Sequence, residues 1–148
     1  MISVTSKHCV TCNTNKRAED DTDFRGILDS YSDRDTDCIF CNDCAGRIVS
    51  ENELCFAIRD GFPVTYLHTL IIPKRHVADY FDLYQTELNA IHDLLAQQKQ
   101  SIMHEDNTVT GFNVGINAGK SAGQTVFHVH VHLIPRRDGD VDEPRCGV

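Results

Sequence analysis

The chain has 148 residues, of which 41% are hydrophobic and 24% charged, with a formal net charge of −8. That length suits one domain with a real core. The negative charge argues against a general nucleic-acid binder, which needs a basic face to displace counterions. No apolar run nears the roughly 20 residues that cross a bilayer, and "MISVTSKHCVTCNTNKR" lacks the apolar core of a secretory signal. A cytoplasmic location without a membrane partner is therefore expected.

Residues 1–37 carry eight of the 22 acidic residues and few large apolar ones. They read as an extension, partly irregular, with one short helix over 24–31. From Cys38 onward the pattern tightens into a domain over 38–148. "RIVSE" and "ELCFAIRD" predict two short strands around a turn at Glu51-Asn52, and "DGFP" reads as a turn. "HTLIIPKR" predicts a third strand, apolar enough to lie inside a sheet. Residues 86–104 predict the one long helix, with Thr86 as N-cap and Leu88, Ile91, Leu95 and Ile102 as its buried stripe. "TGFNVGINAG" predicts a fourth strand, "GKSAGQ" a Gly-rich loop, and "TVFHVHVHLIPR" a fifth strand. Strands outnumber helices around one antiparallel sheet, so the fold class is α+β.

Two sets of residues point to chemistry. The first is cysteine: "CVTC" supplies Cys9 and Cys12, and "CIFCNDC" supplies Cys38, Cys41 and Cys44. In a cytosolic chain, close C-x-x-C pairs suggest a metal sooner than a disulfide framework. Cys55, within an apolar strand, is most simply a core thiol. The second set is "FHVHVHLIP", which places His128, His130 and His132 on one face of a strand and Phe127, Val129, Val131 and Leu133 on the other. One ion cannot easily hold both His128 and His132, since residues i and i+4 lie about 13 Å apart along a strand. Phosphoryl chemistry fits better: a neutral imidazole attacks phosphorus while its neighbours and backbone N–H groups stabilise the phosphate oxygens. Lys120, Arg136 and Arg137 flank the segment and are expected to converge on an anionic ligand.

These segments resemble the histidine triad (HIT) superfamily of nucleotide hydrolases and transferases. "HVHVHLIP" looks like its His-φ-His-φ-His-φ-φ signature, with φ apolar, and "CIFC", "FAIRD", "HTLIIPKRH" and "NAGKSAGQT" follow the family order across residues 38–137. The resemblance implies a five-stranded antiparallel sheet with helices, and a homodimer. It implies that His130 is the nucleophile on the α-phosphate, that His128 and His132 flank it and bind phosphate, and that His68 is the fourth site histidine. Asn117, Gln124 and Thr125 match phosphate-contacting positions, Asp60 the acidic residue that holds ribose hydroxyls, and Ile39 and Phe40 the wall behind the base. Zinc-binding members imply a structural ion on Cys38, Cys41, His76 and His128; a four-thiolate site using Cys9 and Cys12 competes with it. "GQTVFHVHVHLIPRR" looks closest to the diadenosine polyphosphate hydrolases, with a nucleoside phosphoramidase as runner-up. A nucleotide-binding, zinc-containing interaction module without turnover is the reading from a different class. The acidic extension has no counterpart in the family pattern.

Overall fold

The computed structural model describes residues 26–145 apart from 27, 43 and 144. Among them five strands form one antiparallel sheet: β1 (Ile48–Glu51), β2 (Cys55–Arg59), β3 (Thr69–Pro73), β4 (Val109–Ile116) and β5 (Val131–Arg137), in the spatial order β1-β2-β3-β5-β4. A short helix, α1 (Ile39–Asn42), precedes the sheet, and a long one, α2 (Gln85–Glu105), crosses from β3 to β4. The architecture is the expected α+β one. Of the helix expected over 24–31, residues 26 and 28–30 are helical, and 24, 25 and 27 lie outside the described residues.

The central strands β2 and β3 are buried on both faces, which is why "CFAI" and "TLIIP" read as continuous apolar runs instead of alternating. One face, with Cys55, Ala57, Ile71 and Val131, packs under Ile91 and Leu94 of α2. The other, with Phe56, Ile58, Leu70 and Ile72, packs on Cys38, Phe40 and Cys44. Cys55 is the core thiol expected, and burial pushes its pKa up to about 12. Among the described residues β4 closes one edge of the sheet and pairs with β5 alone.

Two features of α2 differ from expectation. Thr86 is not its N-cap: the cap is Tyr84, whose backbone N–H donates to the Glu87 carboxylate at 2.9 Å. The buried stripe runs through Glu87, Ile91, Leu94, Gln98 and Ile102, with Leu88 and Leu95 at its border. Two polar residues can occupy an inward face because each has a partner. The Arg75 guanidinium donates to Glu87 at 2.9 and 2.7 Å, and Arg59 donates to Gln98 at 3.3 Å. Neither partner is local in sequence.

Strand β5 is shorter than the 125–136 expected. Its ladder begins at Val131, where it pairs with Ile71 on one side and Ile116 on the other. Upstream, the Val129 N–H donates to the Val77 carbonyl at 2.8 Å, so this stretch is held by the β3–α2 connection. The three histidines therefore do not all stand on one regular strand.

Candidate active site

His68 enters the site from the turn before β3. Its backbone N–H donates to Thr65 O at 3.1 Å, and Leu67 beside it has φ 69°, a left-handed conformation costing a branched residue about 1–2 kcal/mol. That turn aims the ring at β5: His68 Nε2 lies 3.1 Å from His132 Nδ1. The Val64 backbone N–H donates to His68 Nδ1 at 3.1 Å. An accepting Nδ1 leaves the neutral His68 ring its proton on Nε2, which donates to His132 Nδ1. The proton of His132 is then on its own Nε2, a buried atom with no hydrogen-bond partner among the described residues. An unpartnered buried donor costs about 1–3 kcal/mol, and it offers an N–H to whatever enters.

His130 carries the opposite arrangement. Its Nδ1 donates to the His128 carbonyl at 2.8 Å, leaving the Nε2 lone pair as the free end of the ring. The ring is 5.1 Å from the His132 ring and 5.3 Å from the Phe40 ring, centroid to centroid. One imidazole with a lone pair beside another with an N–H is the combination needed to attack an electrophile while binding its oxygen.

Burial pushes His132 down to about 4, helped by the neighbouring His130 and His68 charges, and burial lowers His68 against the raising effect of Asp60. Both rings stay neutral at neutral pH. The unfolded chain, with ordinary histidines near 6.5, binds more protons than the folded one below that value. Stability should therefore hold above pH 6.5 and fall as pH drops from about 6.5 toward 4. Urea unfolding measured across that window should show His132→Asn reducing the proton uptake by about one per chain; an unchanged pH slope would count against the assignment.

His128 belongs to a different cluster. Its Nδ1 lies 3.4 Å from Cys38 Sγ and 3.6 Å from Cys41 Sγ, and His76 Nδ1 lies 3.5 Å from Cys41 Sγ. The four donor atoms all fall within 4.8 Å of one another. Tetrahedral zinc bonds of about 2.3 Å to sulfur and 2.0–2.1 Å to nitrogen separate S and N by about 3.6 Å. The donor set and its spacing fit that ion with no open position.

Beside His68 and His132 opens a cleft of about 360 Å³, lined by Asp60, Phe62, Asn117 and the β4 backbone at Gly115 among others. The Asp60 carboxylate lies 3.4 Å from His68 Nδ1. Gly115 pairs with His132 across the sheet, and a Cβ added there would meet nothing within 4 Å. The Gly-rich loop turns through Lys120–Ala122 with Gly119 and Gly123 at positive φ, 89° and 88°, where a side chain would be strained.

A family model described as the HIT domain matches residues 43–139. The chain belongs to the HIT family. It is 37% identical over 114 residues to a 16.1 kDa HIT-like protein of Mycoplasma pneumoniae, covering 74% of this chain and 78% of that one. It is 32% identical over 108 residues to the adenylylsulfatase HINT3 of Arabidopsis thaliana, covering 70% of this chain and 54% of that protein. A zinc-bound histidine triad family protein from Mycobacterium smegmatis superposes with a TM-score of 0.64 at 37% identity, over 70% of this chain and 78% of that one. The fold is thus that of the HIT proteins.

Within this HIT domain the residues expected from sequence divide into groups. His68 and His132 meet, with Asp60 and Asn117 on the same cleft. Cys38, Cys41, His76 and His128 meet, whereas Cys44 packs into the core with its Sγ 3.7 Å from Ile39 O. Cys9 and Cys12 lie outside the described residues. His128 is fully buried, and its Nε2 donates to Pro73 O at 2.9 Å while Nδ1 faces the thiols. Gln124 is buried. Its amide accepts from Gly119 N–H and donates to Ala78 O and Val126 O, so it fastens the Gly-rich loop. Phe40 is core and touches His128 and His130 by its ring edge, whereas Ile39 is exposed and lines a second cleft of about 290 Å³ with Thr125. Arg136 and Arg137 do not converge on the site; Asp140 and Asp106 bind them. Phe62, 94% exposed beside Asp60, is one of the lining residues the sequence did not reveal, because "DGFP" signals only a turn.

Proposed function

We propose that this HIT protein is a nucleotide hydrolase that cleaves at the α-phosphate of dinucleoside polyphosphates or related nucleotide conjugates. The observation that supports it is the hydrogen bond from His130 Nδ1 to the His128 carbonyl, which leaves Nε2 unprotonated. That nitrogen attacks phosphorus, a P–N bond forms, and the P–O or P–N bond to the leaving group breaks with its electron pair. The His132 Nε2–H stabilises the phosphate oxygens, Thr125 assists the leaving group, and the leaving group takes a proton from solvent. Water then attacks the nucleotidyl-His130 phosphorus, the P–N bond breaks, and the imidazole returns neutral with release of the nucleoside monophosphate and a proton. Asp60 receives the ribose hydroxyls, Asn117 contacts phosphate, and Ile39 and Phe40 stand behind the base.

Cys38, Cys41, His76 and His128 are proposed as a structural zinc site. When bound, the ion supplies a cross-link between the start of the domain and the segment carrying the histidines. Residues 38–148 act as the catalytic domain behind the extension at 1–37, in the cytoplasm; among the described residues no helix is long and apolar enough to cross a membrane. The outer edge of β4, unpaired among the described residues, with Val114 half-exposed beside Met103 of α2, is the surface on which a homodimer is proposed to form. Light scattering should return twice the 16.6 kDa chain mass.

Incubation with diadenosine tetraphosphate, an adenosine phosphoramidate and adenylyl sulfate, each followed by chromatography, tests the activity. AMP from at least one substrate is expected, and the pattern separates the polyphosphate reading from the phosphoramidase one. Binding of all three without AMP would overturn turnover in favour of a non-catalytic nucleotide-binding module.

A further inference from the structure

The residues just before α1 have no role in the reading above, and the family match begins only at residue 43. They nevertheless lie against the Cys/His cluster. The Asp35 backbone N–H points to Cys41 Sγ at 3.5 Å, and the Cys38 N–H donates to Asp35 O at 3.3 Å. The His76 N–H donates to Asp33 O at 2.8 Å. The Asp35 carboxylate sits 3.7 Å from His76 Nε2, the nitrogen opposite the one that faces the thiols. Asp35 therefore reaches three of the four ligands. The fourth, His128, donates from its own Nε2 to Pro73 O at 2.9 Å.

We propose that Asp35 is a positioning residue of the metal site, so that the acidic segment at 33–37 is part of that site and required for tight metal retention. A histidine that binds metal through Nδ1 carries its remaining proton on Nε2. An oxygen acceptor there fixes the tautomer, stops the ring turning and raises the basicity of the bound nitrogen. For His128 a backbone carbonyl at hydrogen-bond distance does this; for His76 the group on that side is the Asp35 carboxylate, at ion-pair distance, which acts through its charge. The N–H directed at Cys41 Sγ stabilises thiolate over thiol, since hydrogen bonds to an ionised acceptor are the stronger ones. Both effects require the segment to be seated. It is anchored at its far end by Ser30 to Tyr84 at 3.0 Å and by the Tyr31 ring edge on Tyr84, 5.4 Å between centroids.

This rests on the zinc reading, and the experiment separates the two. The full-length protein is titrated with zinc against a chromophoric chelator, and thermal unfolding is followed with and without the metal. Asp35→Ala is expected to weaken zinc binding by about 10–100-fold, the usual effect of removing such a partner. Asp35→Asn keeps the turn bond that the side chain accepts from the Asp37 N–H and loses the charge, so it is expected to fall between wild type and Asp35→Ala. Asp37→Ala, with no contact to a ligand side chain, is expected to stay within about twofold, and the metal-free Asp35→Ala protein to melt with metal-free wild type. Wild-type affinity in Asp35→Ala, or an equal loss in Asp37→Ala, overturns the proposal and leaves the zinc reading standing. A lower melting temperature confined to the metal-free state, with affinity unchanged, also overturns it. No zinc bound by wild type overturns both.

Discussion

His130→Ala is expected to lose several orders of magnitude in kcat while still binding nucleotide. In the proposed cycle the covalent step has one nucleophile, and the neighbours cannot replace it. His128 has both ring nitrogens committed, Nε2 to Pro73 O and Nδ1 toward the thiols, and His132 presents an N–H instead of a lone pair because its Nδ1 accepts from His68. Each factor of ten in rate is about 1.4 kcal/mol of barrier, so a loss above about 10³ corresponds to more than about 4 kcal/mol. Asp60 and Asn117 line the cleft independently of His130, so substrate affinity should change little. Thr125→Ala should cost far less and depend on the leaving group. A rapid acid-free quench with a slow adenylate substrate, read by mass spectrometry, should show an adenylyl adduct in wild type and none in His130→Ala. Absence of the adduct in wild type together with near-normal turnover by the variant would sink the mechanism.

Exchanging both Cys38 and Cys41 for serine is expected to remove about one zinc per chain and the largest single share of thermal stability. Hydroxyls are poor replacements for thiolates toward zinc. The site ties α1 to the segments carrying His76 and His128, which lie far apart in the chain. A ligand present at about 1,000 times its Kd stabilises the folded state by about 4 kcal/mol, which for a domain of this size is roughly 10 °C in Tm. Elemental analysis and thermal unfolding with and without chelator check both numbers. Wild-type zinc content in the double variant would point instead to Cys9 and Cys12.

Local patterns carried most of the fold. β2, β3 and β4 were legible from apolar runs bounded by turn residues, and α2 from its 3.6-residue period, because those signals arise between near neighbours in the chain. The cap of α2 was misplaced because Glu87 is set by Arg75, twelve residues earlier, through a buried ion pair that no local rule contains. The fifth strand was drawn too long because alternation persists through "FHVHV", whereas pairing with β3 and β4 starts only at Val131.

By itself the sequence determined the family, the α+β class and which residue types are available for chemistry: three alternating histidines, a C-x-x-C pair, and a Gly-rich loop. Only the tertiary structure decided how they divide. His128 went to the cysteines and His132 to His68. Gln124 went to the loop, and Asp35 came to the Cys/His cluster from a stretch that read as a partly irregular acidic extension. The physical reason is that a side chain's role depends on which ring nitrogen or amide atom is already bonded, and those partners, such as the Val64 N–H, the Pro73 carbonyl and the His128 carbonyl, are backbone groups. Every residue but proline carries the same N–H, and every residue the same C=O, so nothing in the residue letters marks which of them will be brought to face an imidazole.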